Sequence, residues 1–320
     1  MPLIIELLSK SGHKPFEENI LDNSNYIYTS SHKVLNEGVD FDIAYTPLKH
    51  LGFKSLLSVI GPLFAEGFTP DSLSVIISLP SHYKKSQIVE LWDGVTAGVS
   101  HYGIQTVTLD LQPSLSALSI CLSSQGKQKK ELFVQRKKSK PGDIICVSAD
   151  LGAAYMGLQI LEREKRAADG SNVKPILEKY KYVLQSYLNP FIDITLFEAM
   201  TGASITPSGG EFSLSGLADA IKRLCIKSDA GAKIFMSRIP IAAQTSGVAD
   251  ELGIDPFTAA LNGGEDYSFV FSFPLELHEK IVKEMPQLDI IGHLCDSNAG
   301  ASFISPDGRE MELKAQAWDE

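Results

Sequence analysis

Two adjacent glycines followed at once by two carboxylates, Gly263-Gly264-Glu265-Asp266 after Asn262, are the short stretch of this chain best suited to present chemistry. Glycine tolerates positive φ and lets another backbone or a ligand come close, so the carboxylates would sit on a tight turn leading into a strand at 267–273. A turn of that composition serves structure as readily as it serves a ligand. The second departure is a polar, basic stretch at 124–140, with Lys127, Lys129, Lys130, Arg136, Lys137, Lys138 and Lys140. It suits either a solvated hairpin or a flap that faces phosphate, and a charge run alone does not separate the two. Cys121, Cys146, Cys225 and Cys295 are widely spaced and form no C-x-x-C pair, which points to buried free thiols rather than a metal or redox site. No P-loop, dinucleotide fingerprint, zinc-protease helix or serine-hydrolase elbow occurs.

Such turns need strands and helices to hold them. β-Branched runs at 25–28, 73–79, 104–109, 118–122 and 144–147, with helical patterns between several of them, predict an α/β (α+β) architecture. Residues 150–166 place Leu151, Ala154, Leu158 and Leu161 on one helical face. Residues 213–227 repeat the pattern with Leu214, Leu217, Ala218, Ile221, Leu224 and Cys225, and Ser213 or Ser215 can cap the start. The basic stretch ends at Pro141-Gly142-Asp143, where a new apolar strand opens. A boundary near Lys140 divides the chain into domains 1–140 and 141–320.

Thirty-nine acidic against 29 basic residues leave a net charge of -10, which argues against a nucleic-acid or anionic-membrane surface. The apolar runs fall well short of the ~20 residues that span a bilayer. Residues 1–8 are apolar but lack the preceding positive charge and small-residue cleavage site of a signal peptide, so a cytoplasmic location is expected.

Several longer stretches resemble the thiamine-monophosphate kinase family, whose fold is that of aminoimidazole ribonucleotide synthetase. They are Glu37-Gly38-Val39-Asp40-Phe41-Asp42, the run from Tyr45 to Lys54, Lys140-Pro141-Gly142-Asp143, the run from Asp150 to Gln159, the run from Ala260 to Tyr267, Ile291-Gly292-His293, and Lys314-Ala315-Gln316-Ala317-Trp318. The resemblance extends from about residue 20 to 318. It implies a two-domain fold with an N-terminal sheet that pairs across a dimer and a C-terminal α/β domain, as a homodimer or a heterodimer with an active relative. It also implies transfer of the ATP γ-phosphoryl group to thiamine monophosphate, with Mg²⁺ ions held by scattered aspartates. Phosphoryl transfer relies on such ions, because crowded phosphate charge must be neutralised.

The family's metal positions fare unevenly. Four of them fall on Lys33, Pro62, Phe212 and Ser215, Asp110 is kept, and the Gly-Asp-Asp element falls near Glu17 and Glu18 without its glycine. Ligand-side positions survive better: Arg136 matches an arginine that reaches nucleotide phosphates, Glu265 a glutamate that binds the thiamine moiety, and Trp318 an aromatic that packs on the substrate rings. Asp40 stands where the family has a histidine near the substrate. Mg²⁺ needs hard carboxylate oxygens, so the pattern predicts a catalytically impaired relative acting as a dimeric scaffold, a regulatory subunit or a binder of a thiamine phosphate. The alternative is a working kinase that uses ATP and Mg²⁺ through Glu17, Glu18, Asp40 and Asp110.

Overall fold

A computed structural model describes residues 21–23, 25–168, 177–316 and 318. The chain forms two compact units, one from the described residues of 21–133 and 157–191, the other from those of 134–156 and 192–318. Both are mixed α/β.

The first unit holds a five-stranded sheet in the order β1-β2-β5-β3-β4, from β1 (Leu21–Asp22), β2 (Tyr26–Asn36), β3 (Thr69–Pro80), β4 (Thr106–Ser114) and β5 (Ser119–Lys129). Leu73, Val75 and Ile77 of β3 and Ile120 and Leu122 of β5 are buried on one face, the period-2 pattern the sequence displays. Helices α1 (Leu48–Ala65) and α2 (Lys85–Tyr102) belong to the same unit. They pack closely because two glycines face the partner backbone: a Cβ on Gly52 would stand 2.0 Å from the Leu91 carbonyl oxygen, and one on Gly94 1.9 Å from that of Lys49. Buried Leu56, Leu57, Val59 and Ile60 make α1 the centre of this core, each contributing roughly 1.5–3 kcal/mol.

The sheet's other face carries Val34, Cys121, Ile76 and Asp110 in one cross-strand row, next to a row of His32, Ser123, Ser74 and Thr108. Val34 and Ile76 are 49% and 43% exposed. Strand β2 runs well beyond the expected 25–28, because its whole length through Asn36 pairs with β5.

The basic stretch is not a hairpin. Strand β5 continues to Lys129, held between β2 and β3, and a short helix α3 (Lys130–Gln135) follows. Lys127 and Lys130 are ion-paired with Asp71 and Asp22, each at 2.5 Å, while Lys137, Lys138 and Lys140 are exposed.

Helix α4 (Ala153–Ala168) passes from the second unit into the first, where α5 (Lys181–Leu188) also lies. The second unit has a seven-stranded sheet in the order β12-β11-β8-β10-β6-β9-β7. Its strands are β6 (Ile144–Val147), β7 (Gly209–Ser213), β8 (Ala230–Phe235), β9 (Ser268–Phe273), β10 (Asp289–Asp296), β11 (Ala301–Ile304) and β12 (Glu310–Glu312). Its helices include α6 (Thr195–Gly202), α7 (Leu217–Ser228), α8 (Ala243–Leu252), α9 (Pro256–Asn262) and α10 (His278–Glu284). Leu217, Ile221 and Leu224 of α7 join Ile145, Val147 and Val270 of the sheet in one core.

Helix α7 starts later than its sequence pattern predicts. Phe212 and Ser213 stay in β7, paired with Phe269 and Ser268, and Gly216 (φ 99°) takes the N-cap position with no side-chain cap. Neither Ser213 nor Ser215 caps it. The four cysteines are free, but only Cys146 and Cys225 are buried, whereas Cys121 and Cys295 are half-buried. Burial pushes the Cys146 and Cys225 thiols up to about 12, so both are inert at neutral pH. Among the described residues no helix is long and apolar enough to cross a membrane.

Candidate functional site

The Gly-Gly-Glu-Asp segment is the hub of the second unit's loops. Gly264 (φ 74°), Glu265 (φ 59°) and Tyr267 (φ 51°) all have left-handed backbones, a concentration of strain usual at functional turns. The Glu265 N–H donates to the Leu214 carbonyl at 2.8 Å. A Cβ on Gly216 would stand only 2.4 Å from the Leu261 carbonyl oxygen, so the turns at 214–216 and 262–265 touch backbone to backbone.

Asp266 ties in a third loop. Its carboxylate accepts from Gly152 N at 2.8 Å and from Ala154 N at 3.3 Å, which anchors the start of α4. Desolvation pushes its carboxyl up to about 7, with the neighbouring Glu265 charge adding to the rise and the two backbone donors opposing it. The Gly-Glu-Asp turn pointed to Glu265, and Asp266 proves to be the carboxylate that joins two loops. Ser148 completes the frame, accepting from Phe269 N at 2.9 Å.

Trp318 is linked to the same turn through the segment before it, where Gln316 N donates to Asn262 Oδ1 at 3.1 Å. Its indole N–H donates to Asp219 Oδ1 at 2.8 Å, and Arg223 holds the other oxygen of Asp219 at 2.8 Å. Asp219 is only 5% exposed. An acid inside the apolar stripe of α7 was the sequence signal for this anchor. The Lys222 ammonium lies 5.5 Å from the Trp318 ring centre. A groove of about 610 Å³ runs beside the indole, lined also by Lys222, Ile226, Met311 and Glu312.

The positions at which the resemblance expects metal aspartates are put to other uses. Phe212 is buried, with its ring centre 5.8 Å from that of Tyr267 and 5.2 Å from that of Phe269. Phe197 extends this cluster to Phe269 at 5.0 Å. Ser215 is exposed on its turn, and Pro62 lies in the last turn of α1. Lys33 shares a row with Leu122, Val75 and Leu109, so it projects from the sheet face opposite to Asp110. Asp110 spends one oxygen on Leu111 N at 2.9 Å and the other on Gln112 Nε2 at 2.7 Å.

Asp40 accepts from Asn36 N at 2.8 Å and closes the turn after β2. Arg136 is half-exposed just after α3. Glu17 and Glu18 lie outside the described residues. Among the described residues no three His, Cys, Asp or Glu side chains stand close enough to hold a metal ion.

No family model matches the chain. It is 26% identical over 269 residues to the thiamine-monophosphate kinase of Synechococcus elongatus, covering 83% of this chain and 78% of that one. Thiamine monophosphate kinase from Aquifex aeolicus superposes with a TM-score of 0.78 at 23% identity, over 98% of each chain. A structure of AaThiL complexed with AMPPCP and TMP gives a TM-score of 0.80 at 21% identity, over 98% of this chain and 94% of the other. In the extent of its sequence match the chain is similar to thiamine-monophosphate kinases, and it shares the fold of their solved structures.

Proposed function

We propose that this chain is a catalytically impaired member of its family, kept as a dimeric, ligand-responsive subunit rather than as a kinase. Phe212 carries the reading. At the position where the resemblance expects a metal aspartate, a buried ring is packed among Tyr267 and Phe269. An aspartate there would have to ionise within an aromatic core, at a cost of several kcal/mol. The cation at Lys33, where the resemblance expects an aspartate, points the same way. Without several Mg²⁺ ions, the repulsion between ATP and a phosphorylated acceptor is unscreened.

The ligand side of the site supports binding. Glu265 is fixed on a strained turn and Trp318 is anchored to that turn's neighbourhood, which suits a small cationic aromatic ligand bearing phosphate, the class to which thiamine monophosphate belongs. The sheet face of the first unit that exposes Val34 and Ile76 suits a second copy of the chain.

Calorimetric titration tests this on one preparation of known oligomeric state. Thiamine monophosphate should bind without metal, and an ATP analogue with Mg²⁺ should give no heat. Mg²⁺-dependent nucleotide binding would reverse the reading in favour of a working kinase.

A further inference from the structure

Asp143, at the entrance to β6, is 1% exposed. Its Oδ2 accepts from Ser208 Oγ at 2.6 Å and from Lys140 N at 3.2 Å. Ser208 Oγ lies 3.0 Å from Ser272 Oγ, which lies 2.8 Å from Ser139 Oγ. A chain of three hydroxyls thus leads away from the carboxylate, and it has room because residue 209 is glycine: a Cβ there would stand 2.3 Å from Ser139 Oγ and 2.9 Å from Ser272 Oγ.

The other carboxylate oxygen, Oδ1, is buried and has no hydrogen-bond partner. Among the described residues no Lys, Arg or His forms an ion pair with Asp143. A buried carboxylate without a counter-charge is among the costliest groups in a protein interior, and each buried unsatisfied polar atom calls for an explanation. One positive charge seated against Oδ1 answers both needs.

The donors are all oxygen, which disfavours zinc and copper. A single carboxylate is too little to hold Mg²⁺ out of its water shell. We propose that Asp143, with the hydroxyls of Ser139, Ser208 and Ser272 over Gly209, forms a buried site for a monovalent alkali cation, K⁺ or Na⁺. The site lies at the opposite ends of β6 and β9 from Ser148 and Asp266, so it locks the sheet rather than serving the ligand turn.

Crystals of the wild-type full chain grown in Rb⁺ or Tl⁺ should show an anomalous peak at coordinating distance from Asp143 Oδ1. In solution, the melting midpoint should rise by about 2–3 °C in KCl or NaCl at tenfold excess over the dissociation constant, relative to tetramethylammonium chloride of equal ionic strength. Gly209→Ala, which fills the cradle, should abolish that difference between salts whatever its own effect on the midpoint. Water or empty density at Oδ1 with no anomalous peak overturns the proposal, and so does an equal midpoint in all salts for the wild type.

Discussion

The Phe212 ring meets the Tyr267 ring edge to face, with centres 5.8 Å apart and an angle of 71° between the planes. One residue stands at an expected metal position and the other ends the Gly-Gly-Glu-Asp turn. The contact therefore ties the end of β7 to the Gly-Gly-Glu-Asp turn by packing.

Phe212→Asp, which introduces the residue type that the resemblance expects, should destabilise the chain by about 3–5 kcal/mol, through loss of aromatic packing and burial of a charge. Urea denaturation measures the loss. No Mg²⁺-dependent nucleotide binding should accompany it.

Asp266 predicts a pH dependence. Its carboxyl is raised from 3.8 to about 7, so the folded chain holds this proton more tightly than the unfolded chain. The contribution to stability is complete below about pH 4 and is lost as pH rises toward 7, amounting to at most about 4 kcal/mol. Asp266→Asn should remove this slope. Parallel denaturation curves for wild type and variant at pH 4 to 8 would show the difference, and identical slopes would contradict it.

At Gly216, alanine would have to adopt a φ of 99° with its Cβ 2.4 Å from the Leu261 carbonyl oxygen. Gly216→Ala should push the 214–216 turn off the 262–265 turn, at a cost of roughly 2–4 kcal/mol. Affinity for thiamine monophosphate should fall at least tenfold by calorimetry, because Glu265 rests on Leu214.

Ile76 stands 43% exposed in the middle of the first unit's open sheet face. Ile76→Glu should leave the melting midpoint within about 2 °C and convert the proposed dimer to monomer in sedimentation velocity. A dimer that survives the substitution would place the interface elsewhere.

Local alternation made much of the fold legible. Leu73, Val75 and Ile77 announce β3, and the apolar stripe of α7 identifies its buried face. What the sequence conceals is set by distant partners. Ser31-His32-Lys33 is polar on its own and becomes strand because β5 pairs with it throughout. The first serines of the α7 pattern look like caps, but Ser213 is drawn into β7 by Ser268. The role of Asp266 depends on Gly152 and Ala154, more than a hundred residues away. Such long-range pairings leave no periodic trace.

Loss of phosphoryl transfer is tested by formation of thiamine diphosphate from thiamine monophosphate with saturating ATP and Mg²⁺, measured chromatographically on the wild-type chain. No product should form above the enzyme-free background. Turnover in the usual kinase range, on the order of 1 s⁻¹ or faster, would contradict it.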